Sequence, residues 1–209
     1  MNSNQTVFVV DDDAGMRKSL KLLLESADHK VELFDSATKF LENYDPSISG
    51  CLILDIKMPE MSGIELQQHL IKNDIRIPII IISAHADVSS AVQAMKLGSF
   101  DFMEKPYTPD ILLSRTNQAL ERDRLLREEQ TQFSNIRLRI MSLSPRERDV
   151  LSLLVAGSAS KSIADKLSLS VSTVDNYRSS IMRKLGVETS AELIRVALMA
   201  GLTQLNLLK

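Results

Sequence analysis

A chain of 209 residues with a net charge of −2 suits one or two domains, since domains usually hold roughly 100–200 residues. There is no run of about 18 apolar residues to span a membrane, and the amino terminus, Met1-Asn2-Ser3-Asn4-Gln5-Thr6, shows no cationic and apolar signal pattern. A single cysteine, Cys51, cannot form an internal disulfide, and a cytoplasmic protein is predicted. The charge is unevenly spread. Residues 1–118 carry 11 Lys/Arg against 17 Asp/Glu, a balance of −6, whereas residues 143–209 carry 9 against 6, a balance of +3. An acidic first part and a mildly basic second part point to separate tasks, the second on nucleic acid.

In chain order, Val7–Val10, Val31–Phe34, Cys51–Leu54, Ile79–Ile82 and Phe100–Met103 are short apolar tracts. Three of them, 7–10, 51–54 and 79–82, lack polar alternation, as expected of parallel strands buried on both faces. Pro78 precedes one of these strands, where its missing N–H is tolerated. Amphipathic stretches at 14–27, 36–43, 62–73, 87–97 and 108–127 read as helices. The alternation predicts an α/β fold, a doubly wound five-stranded parallel sheet. From Thr108 the helical pattern runs on, with Leu112, Ala119, Leu126, Phe133 and Ile140 recurring every seven residues. The companion stripe of Thr116, Asp123, Gln130 and Arg137 is polar, so an extended helix plus linker is expected rather than a dimer zipper. After Ser144-Pro145 only helical patterns remain, at 145–156, 160–167, 171–185 and 190–200. Gly157 and Gly186 stop two of them, and Ser144-Pro145-Arg146-Glu147 is a helix-start signal. The expected domains are 5–120, a helical linker over 121–142, and an all-α four-helix domain over 143–209.

Four of the apolar tracts deliver polar groups at their ends: Asp11-Asp12-Asp13, Asp55, Ser83 and Glu104-Lys105-Pro106. In open α/β sheets the carboxyl edge of the strands is where ligands bind. Asp11, Asp12 and Asp55 make an oxygen-rich set suited to a hard cation such as Mg2+. An aspartate can attack phosphorus to give an acyl phosphate, and Mg2+, Lys105 and Ser83 can stabilise the transferring oxygens. Asp13 is read as a helix-starting acid, and His29, His69 and His85 form no metal-ligand spacing. His85, two residues past Ser83, and Lys57 are expected to tune phosphoryl lifetime.

Asp11-Asp12, Asp55 in D-I-K-M-P-x-M-S-G, Ser83-Ala84 and Lys105-Pro106, in this order and spacing, resemble the receiver domain of two-component response regulators over about residues 5–120. The resemblance implies a flavodoxin-like fold with Asp55 as phosphoacceptor. It implies Mg2+ held by Asp12 and Asp55, by Asp11 through water and by the backbone carbonyl of Lys57. It also implies that Ser83 and Lys105 bind the phosphoryl group and that Phe102 sits at an aromatic switch position.

Farther on, Lys161–Leu167, a turn containing Ser168 and Ser170, and Ser172–Arg178 form a helix-turn-helix pattern, whose second helix enters the major groove. Ile163, Ala164, Leu167, Leu169, Val174, Ile181 and Leu185 supply its apolar contacts. The blocks L-S-P-R-E-R-D-V-L-x-L-L-V-A-G, K-S-I-A-D-K-L, S-V-S-T-V-D-N-Y-R and K-L-G-V resemble the LuxR-type DNA-binding domain, and the whole chain resembles the NarL/FixJ-type regulators, FixJ branch. The exposed face would offer Ser172, Thr173, Asp175, Asn176, Arg178 and Ser179, followed by Arg183 and Lys184. Asp175 is acidic where many relatives have lysine, and an aspartate can accept from cytosine N4. Asp175 and Asn176 are therefore assigned to base choice, and Lys161, Arg178, Arg183 and Lys184 to phosphates.

The resemblance implies a transcription regulator, not an enzyme beyond its own phosphorylation and dephosphorylation. Its implied partners are a sensor histidine kinase, double-stranded DNA, RNA polymerase and, on phosphorylation, a second copy of the chain, with no membrane. Activation is the expected output. Two rivals stand beside it. One is a phosphatase using Asp55 as nucleophile, which would need a positioned general acid and a substrate pocket. The other is a phosphorylation-independent DNA-binding protein whose first domain only dimerises.

Overall fold

The computed structural model describes residues 5–84 and 88–201. The first part alternates β1 (Thr6–Val10), α1 (Ala14–Ser26), β2 (Lys30–Phe34), α2 (Ala37–Asn43), β3 (Gly50–Asp55), α3 (Gly63–Lys72), β4 (Ile79–Ser83), α4 (Val88–Lys96), β5 (Asp101–Glu104) and α5 (Pro109–Met141). The strands pair in the order β2-β1-β3-β4-β5, all parallel. Every residue of β1, β3 and β4 is buried, as their unbroken apolar tracts require, whereas the edge strands β2 and β5 are partly exposed. The expected doubly wound five-stranded parallel sheet followed by an all-α module is borne out. β5 pairs one residue later than its apolar tract, because Phe100 bonds Ile79 from outside the strand.

Alternate side chains of the central strands go to opposite faces. Phe8, Leu52, Leu54 and Ile81 pack with Phe40 of α2, Leu66 and Leu70 of α3 and Ala94 of α4. Val7, Val9, Ile53, Ile80 and Ile82 pack with Leu20 and Leu24 of α1 and Leu112 and Ala119 of α5. Each fully buried large side chain contributes roughly 1.5–3 kcal/mol. Side-chain caps close the starts of α1 and α3. Asp13 accepts from the backbone of Gly15 and Met16, and Ser62 forms a reciprocal capping box with Glu65. Asp13 is thus a helix-starting acid in the structure as in the sequence reading.

Contacts divide the chain into two compact units, Met1–Arg127 and Glu128–Lys209. The seven-residue apolar stripe of α5 is shared between them: Leu112 and Ala119 bury against the sheet of the first unit, and Ile140 enters the core of the second. Two members of the polar companion stripe are not solvated. Thr116 and Asp123 are buried within the first unit, and Thr116 returns its hydroxyl to the Leu112 carbonyl.

The second unit contains α6 (Pro145–Val155), α7 (Ser160–Leu167), α8 (Val171–Leu185) and α9 (Ser190–Met199). Its core joins Ile140 and Leu143 to Val150, Leu151, Ile163, Val174, Ile181 and Leu193. Ser144 and Glu147 close a capping box at the start of α6, and Gly186 ends α8 in the left-handed conformation at φ 70°.

Candidate functional site

Because all five strands are parallel, their carboxyl ends meet on one edge. Asp11 and Asp12 follow β1, Asp55 ends β3, Ser83 ends β4 and Lys105 follows β5. Asp11, Asp55 and Ser83 are buried, and Asp12 is exposed. Lys105 Nζ donates to Asp11 Oδ2 at 3.0 Å and to Asp55 Oδ1 at 2.8 Å, so one ammonium serves two buried carboxylates. Each carboxylate gives its other oxygen to the backbone, Asp11 Oδ1 accepting from the Asp13 N–H at 2.9 Å and Asp55 Oδ2 from the Lys57 N–H at 2.7 Å. Lys105 is itself fixed by its own N–H, which donates to the Ser83 carbonyl at 2.8 Å. Arg17 donates to the Asp11 carbonyl at 2.6 Å.

Burial raises the Asp11 carboxyl above its ordinary range and the Asp55 charge adds to the rise, against the lowering by the Asp13 N–H and Lys105. For Lys105 burial favours the neutral amine, but the hydrogen bonds to Asp55 and Asp11 outweigh it and the net shift is upward. The site thus holds an ammonium that stays charged beside a carboxyl that is costly to ionise.

The turn after Asp55 is built by close contact. Gly63 donates its N–H to the Ile56 carbonyl at 2.9 Å, and a Cβ there would lie 2.2 Å from the Asp55 carbonyl oxygen. Any side chain at 63 would push the Asp55 backbone out of place. Phe102, in β5, is half-buried against the core on the α2–α4 face.

Sequence reasoning expected Asp11, Asp12 and Asp55 as a gathered metal set. Among the described residues no group of three or more His, Cys, Asp or Glu side chains is arranged to hold a metal. The reason is local, since Lys105 bridges Asp11 and Asp55 while the Asp12 side chain faces solvent. The residue types still fit a small hard cation, because every candidate donor is an oxygen and Asp11 gains from any positive charge brought beside it. His85 lies outside the described residues, and Lys57 is exposed.

In the second unit α7 and α8 are joined by a short turn. Ser168 takes the left-handed conformation at φ 55°, and Ser170 caps α8 by accepting from the Thr173 N–H at 3.0 Å. Ile163, Ala164, Val174, Ile181 and Leu185 are buried between the helices, as expected for a helix-turn-helix. Lys161, Ser172, Asp175, Asn176, Ser179 and Arg183 are exposed, and Thr173 and Arg178 half-exposed. Arg178 bonds the Ser190 hydroxyl. Asp175 accepts from Ser160 at 2.9 Å, a contact between residues 15 apart that no motif signals.

Lys184 has a structural partner besides its expected role. Its ammonium lies 2.7 Å from Glu147 Oε2, inside a network that also brings Ser180 to Glu147 Oε1 at 2.8 Å. This pair ties α6 to α8, while the Lys184 side chain remains 39% exposed. Sequence reasoning had placed Glu147 only in the first helical turn. The Lys184 ammonium and the Ser144 N–H hold its carboxyl down, from the ordinary 4.5 to about 2, against burial. A depressed carboxyl stabilises the fold above its unfolded value and loses that contribution as pH falls through the folded one. Stability of the second unit is therefore expected to decline between pH 4.5 and about 2. Amide exchange over residues 144–200 of the full chain should show this, and Glu147→Gln should flatten the decline and lower protection at neutral pH.

Fold and sites together define a regulator that joins an acid-edged α/β sheet to a helix-turn-helix module. Residues 7–117 match the response regulator receiver domain, and residues 141–197 match the bacterial regulatory proteins of the luxR family. The transcriptional regulatory protein FixJ of Bradyrhizobium diazoefficiens is 39% identical over 202 residues, covering 97% of this chain and 98% of that protein. The transcriptional regulatory protein TdiR of Thauera aromatica is 41% identical over 189 residues, covering 90% of this chain and 83% of that one. Among solved structures, the response regulator StyR is similar with a TM-score of 0.83 and 41% identity, covering 93% of this chain and 98% of that one. Full-length FixJ from B. japonicum matches with a TM-score of 0.57 and 40% identity, covering 95% of this chain and 98% of that one. The chain belongs to the NarL/FixJ-type response regulators of two-component systems, with a receiver domain and a LuxR-type DNA-binding domain. It is a FixJ-like transcription regulator.

Proposed function

We propose that a sensor histidine kinase phosphorylates Asp55 and that this controls DNA binding by the second unit. The observation that carries the reading is the place of Asp55: its carboxylate ends β3, pinned by the Lys57 N–H and paired with Lys105 at 2.8 Å. In the reaction a carboxylate oxygen of Asp55 attacks phosphorus and the bond from phosphorus to the kinase histidine nitrogen breaks, leaving an acyl phosphate. Lys105 turns from Asp11 and Asp55 to a phosphoryl oxygen, and the Ser83 hydroxyl takes another. Asp11, Asp12, Asp55 and the Lys57 carbonyl would hold Mg2+, which neutralises charge on the transferring group. Hydrolysis of the acyl phosphate ends the signal, so the chain acts on itself and turns over no external substrate.

Ser83 and its loop then move inward and Phe102 follows, altering the surface of α4, β5 and α5. Met95 of α4 and Ile111 of α5 are exposed apolar residues, which supports dimerisation through this surface. The dimer binds a roughly two-fold operator, contacts RNA polymerase and activates transcription. Cytoplasmic residence fits these partners, and no helix among the described residues is long and apolar enough to cross a membrane.

On DNA, Ser172, Thr173, Asp175, Asn176 and Ser179 face base edges, while Lys161, Arg178, Arg183 and Lys184 meet phosphates. Lys161→Ala and Arg183→Ala are expected to weaken binding to all sequences and to lower the salt slope by about one each. A titration of affinity against salt checks this, and an altered sequence preference at an unchanged slope would contradict it.

Phosphoryl uptake tests the first half of the reading. Intact-mass analysis after acetyl phosphate and Mg2+ should show one phosphoryl group, mapped to Asp55 and absent when the metal is chelated before the donor is added. Uptake at another residue, or none with a donor and Mg2+ present, would refute it. Multiple turnover of a phosphomonoester would favour a phosphatase instead.

A further inference from the structure

Asp175 is an unusual group to offer to DNA. An exposed carboxylate on a helix repels phosphate and turns freely about two bonds, so by itself it reads a base poorly. In this chain it is held. Ser160, the first residue of α7, donates its hydroxyl to Asp175 Oδ1 at 2.9 Å, a contact between residues 15 apart in sequence. The other carboxylate oxygen accepts no hydrogen bond among the described residues and remains available to a donor from outside.

A second feature shows where the Ser160 hydroxyl is directed. Serine at a helix start commonly satisfies the orphan N–H groups of its own first turn. Here the N-cap of α7 is Ala159, which has no side chain to cap with, and the hydroxyl of Ser160, the next residue, goes to the neighbouring helix.

We propose that Ser160 is a positioning residue that aims the Asp175 carboxylate at a base edge. It thereby helps to set which sequence the second unit selects. The matching ligand chemistry is an exocyclic amine displayed in the major groove of double-stranded DNA, cytosine N4 being the donor that a carboxylate accepts. The inference rests on the reading of the second unit as a DNA-binding module.

The test is selection of bound duplexes from a random-sequence pool by the full chain, with acetyl phosphate present, followed by sequencing. Wild type, Asp175→Ala, Ser160→Ala and Ser160→Thr are compared, and the salt dependence of binding is measured for each. Asp175→Ala should lose about tenfold of its preference for cytosine at one position of the enriched motif. Ser160→Ala should lose about threefold or more at that same position, with an unchanged salt slope, and Ser160→Thr should restore it. A merely structural hydroxyl would weaken binding to every sequence alike and leave the motif intact. An unaltered motif in Ser160→Ala, a change confined to other positions, or failure of threonine to rescue would overturn the assignment. If the wild type enriches no sequence at all, the DNA-binding reading itself fails, and the role of Ser160 with it.

Discussion

Asp55→Asn is expected to abolish phosphoryl uptake while leaving the first unit as stable as the native chain, or more so. The amide matches the carboxylate in size and can still accept the Lys57 N–H, which holds Oδ2 at 2.7 Å, so the turn geometry survives. It lacks the charge and basicity needed to attack phosphorus. The stability part follows from the charge balance. Two buried carboxylates share one ammonium at 3.0 and 2.8 Å, which places their oxygens no more than about 6 Å apart. Like charges at that separation repel by about 3 kcal/mol at an effective dielectric of 20. Removing one charge gives up the 2.8 Å attraction to Lys105 but relieves both that repulsion and the several kcal/mol cost of holding a second carboxylate out of water, and Lys105 stays paired with Asp11. Thermal unfolding and intact-mass phosphorylation on the same preparation check both parts. Phosphoryl uptake at the native level would remove Asp55 from its role, and a lower unfolding midpoint would make its carboxylate a structural group.

Asp123→Ala is expected to destabilise the first unit by about 3 kcal/mol, the lower end for breaking a buried ion pair. Asp123 is 1% exposed. Its Oδ2 accepts from Ser49 Oγ at 2.6 Å, the Gly50 N–H at 2.8 Å and Arg127 Nε at 2.9 Å. Arg127 continues the network by donating to the carbonyls of Pro46, Ser47 and Ile48. Truncation leaves the Gly50 N–H and a guanidinium without their shared acceptor, where desolvation makes an unmet donor costly. Arg127 keeps part of its surface in water, which places the loss at the low end of the range. Chemical denaturation followed by amide exchange in β1 and β3 measures it. A loss below about 1 kcal/mol would mean that water replaces the carboxylate and that the network holds little.

Asp123 also shows where sequence reasoning stops. Its seven-residue spacing with Thr116 marks one polar stripe that argues against a zipper, but periodicity reports which residues share a face and not what that face meets. The structure turns that stripe inward at Thr116 and Asp123. The acid edge was legible for the opposite reason. Parallel strands send all their carboxyl ends to one side, so Asp11, Asp55, Ser83 and Lys105 could be joined from chain order alone. That Lys105 spans Asp11 and Asp55 depends on a side-chain conformation that no spacing encodes. The same applies to Glu147 with Lys184 and to Ser160 with Asp175. These pairs join residues 37 and 15 positions apart, and their meeting is decided by how α6, α7 and α8 cross.

In the proposed function the state of Asp55 sets the DNA affinity of the second unit. The most direct test is the affinity of the full chain for a selected duplex, with and without acetyl phosphate and Mg2+, in wild type and Asp55→Asn. Tighter binding on phosphorylation is expected in the wild type and no response in the variant. Equal affinity in all four cases would contradict it and leave a DNA-binding protein whose receiver serves only to dimerise.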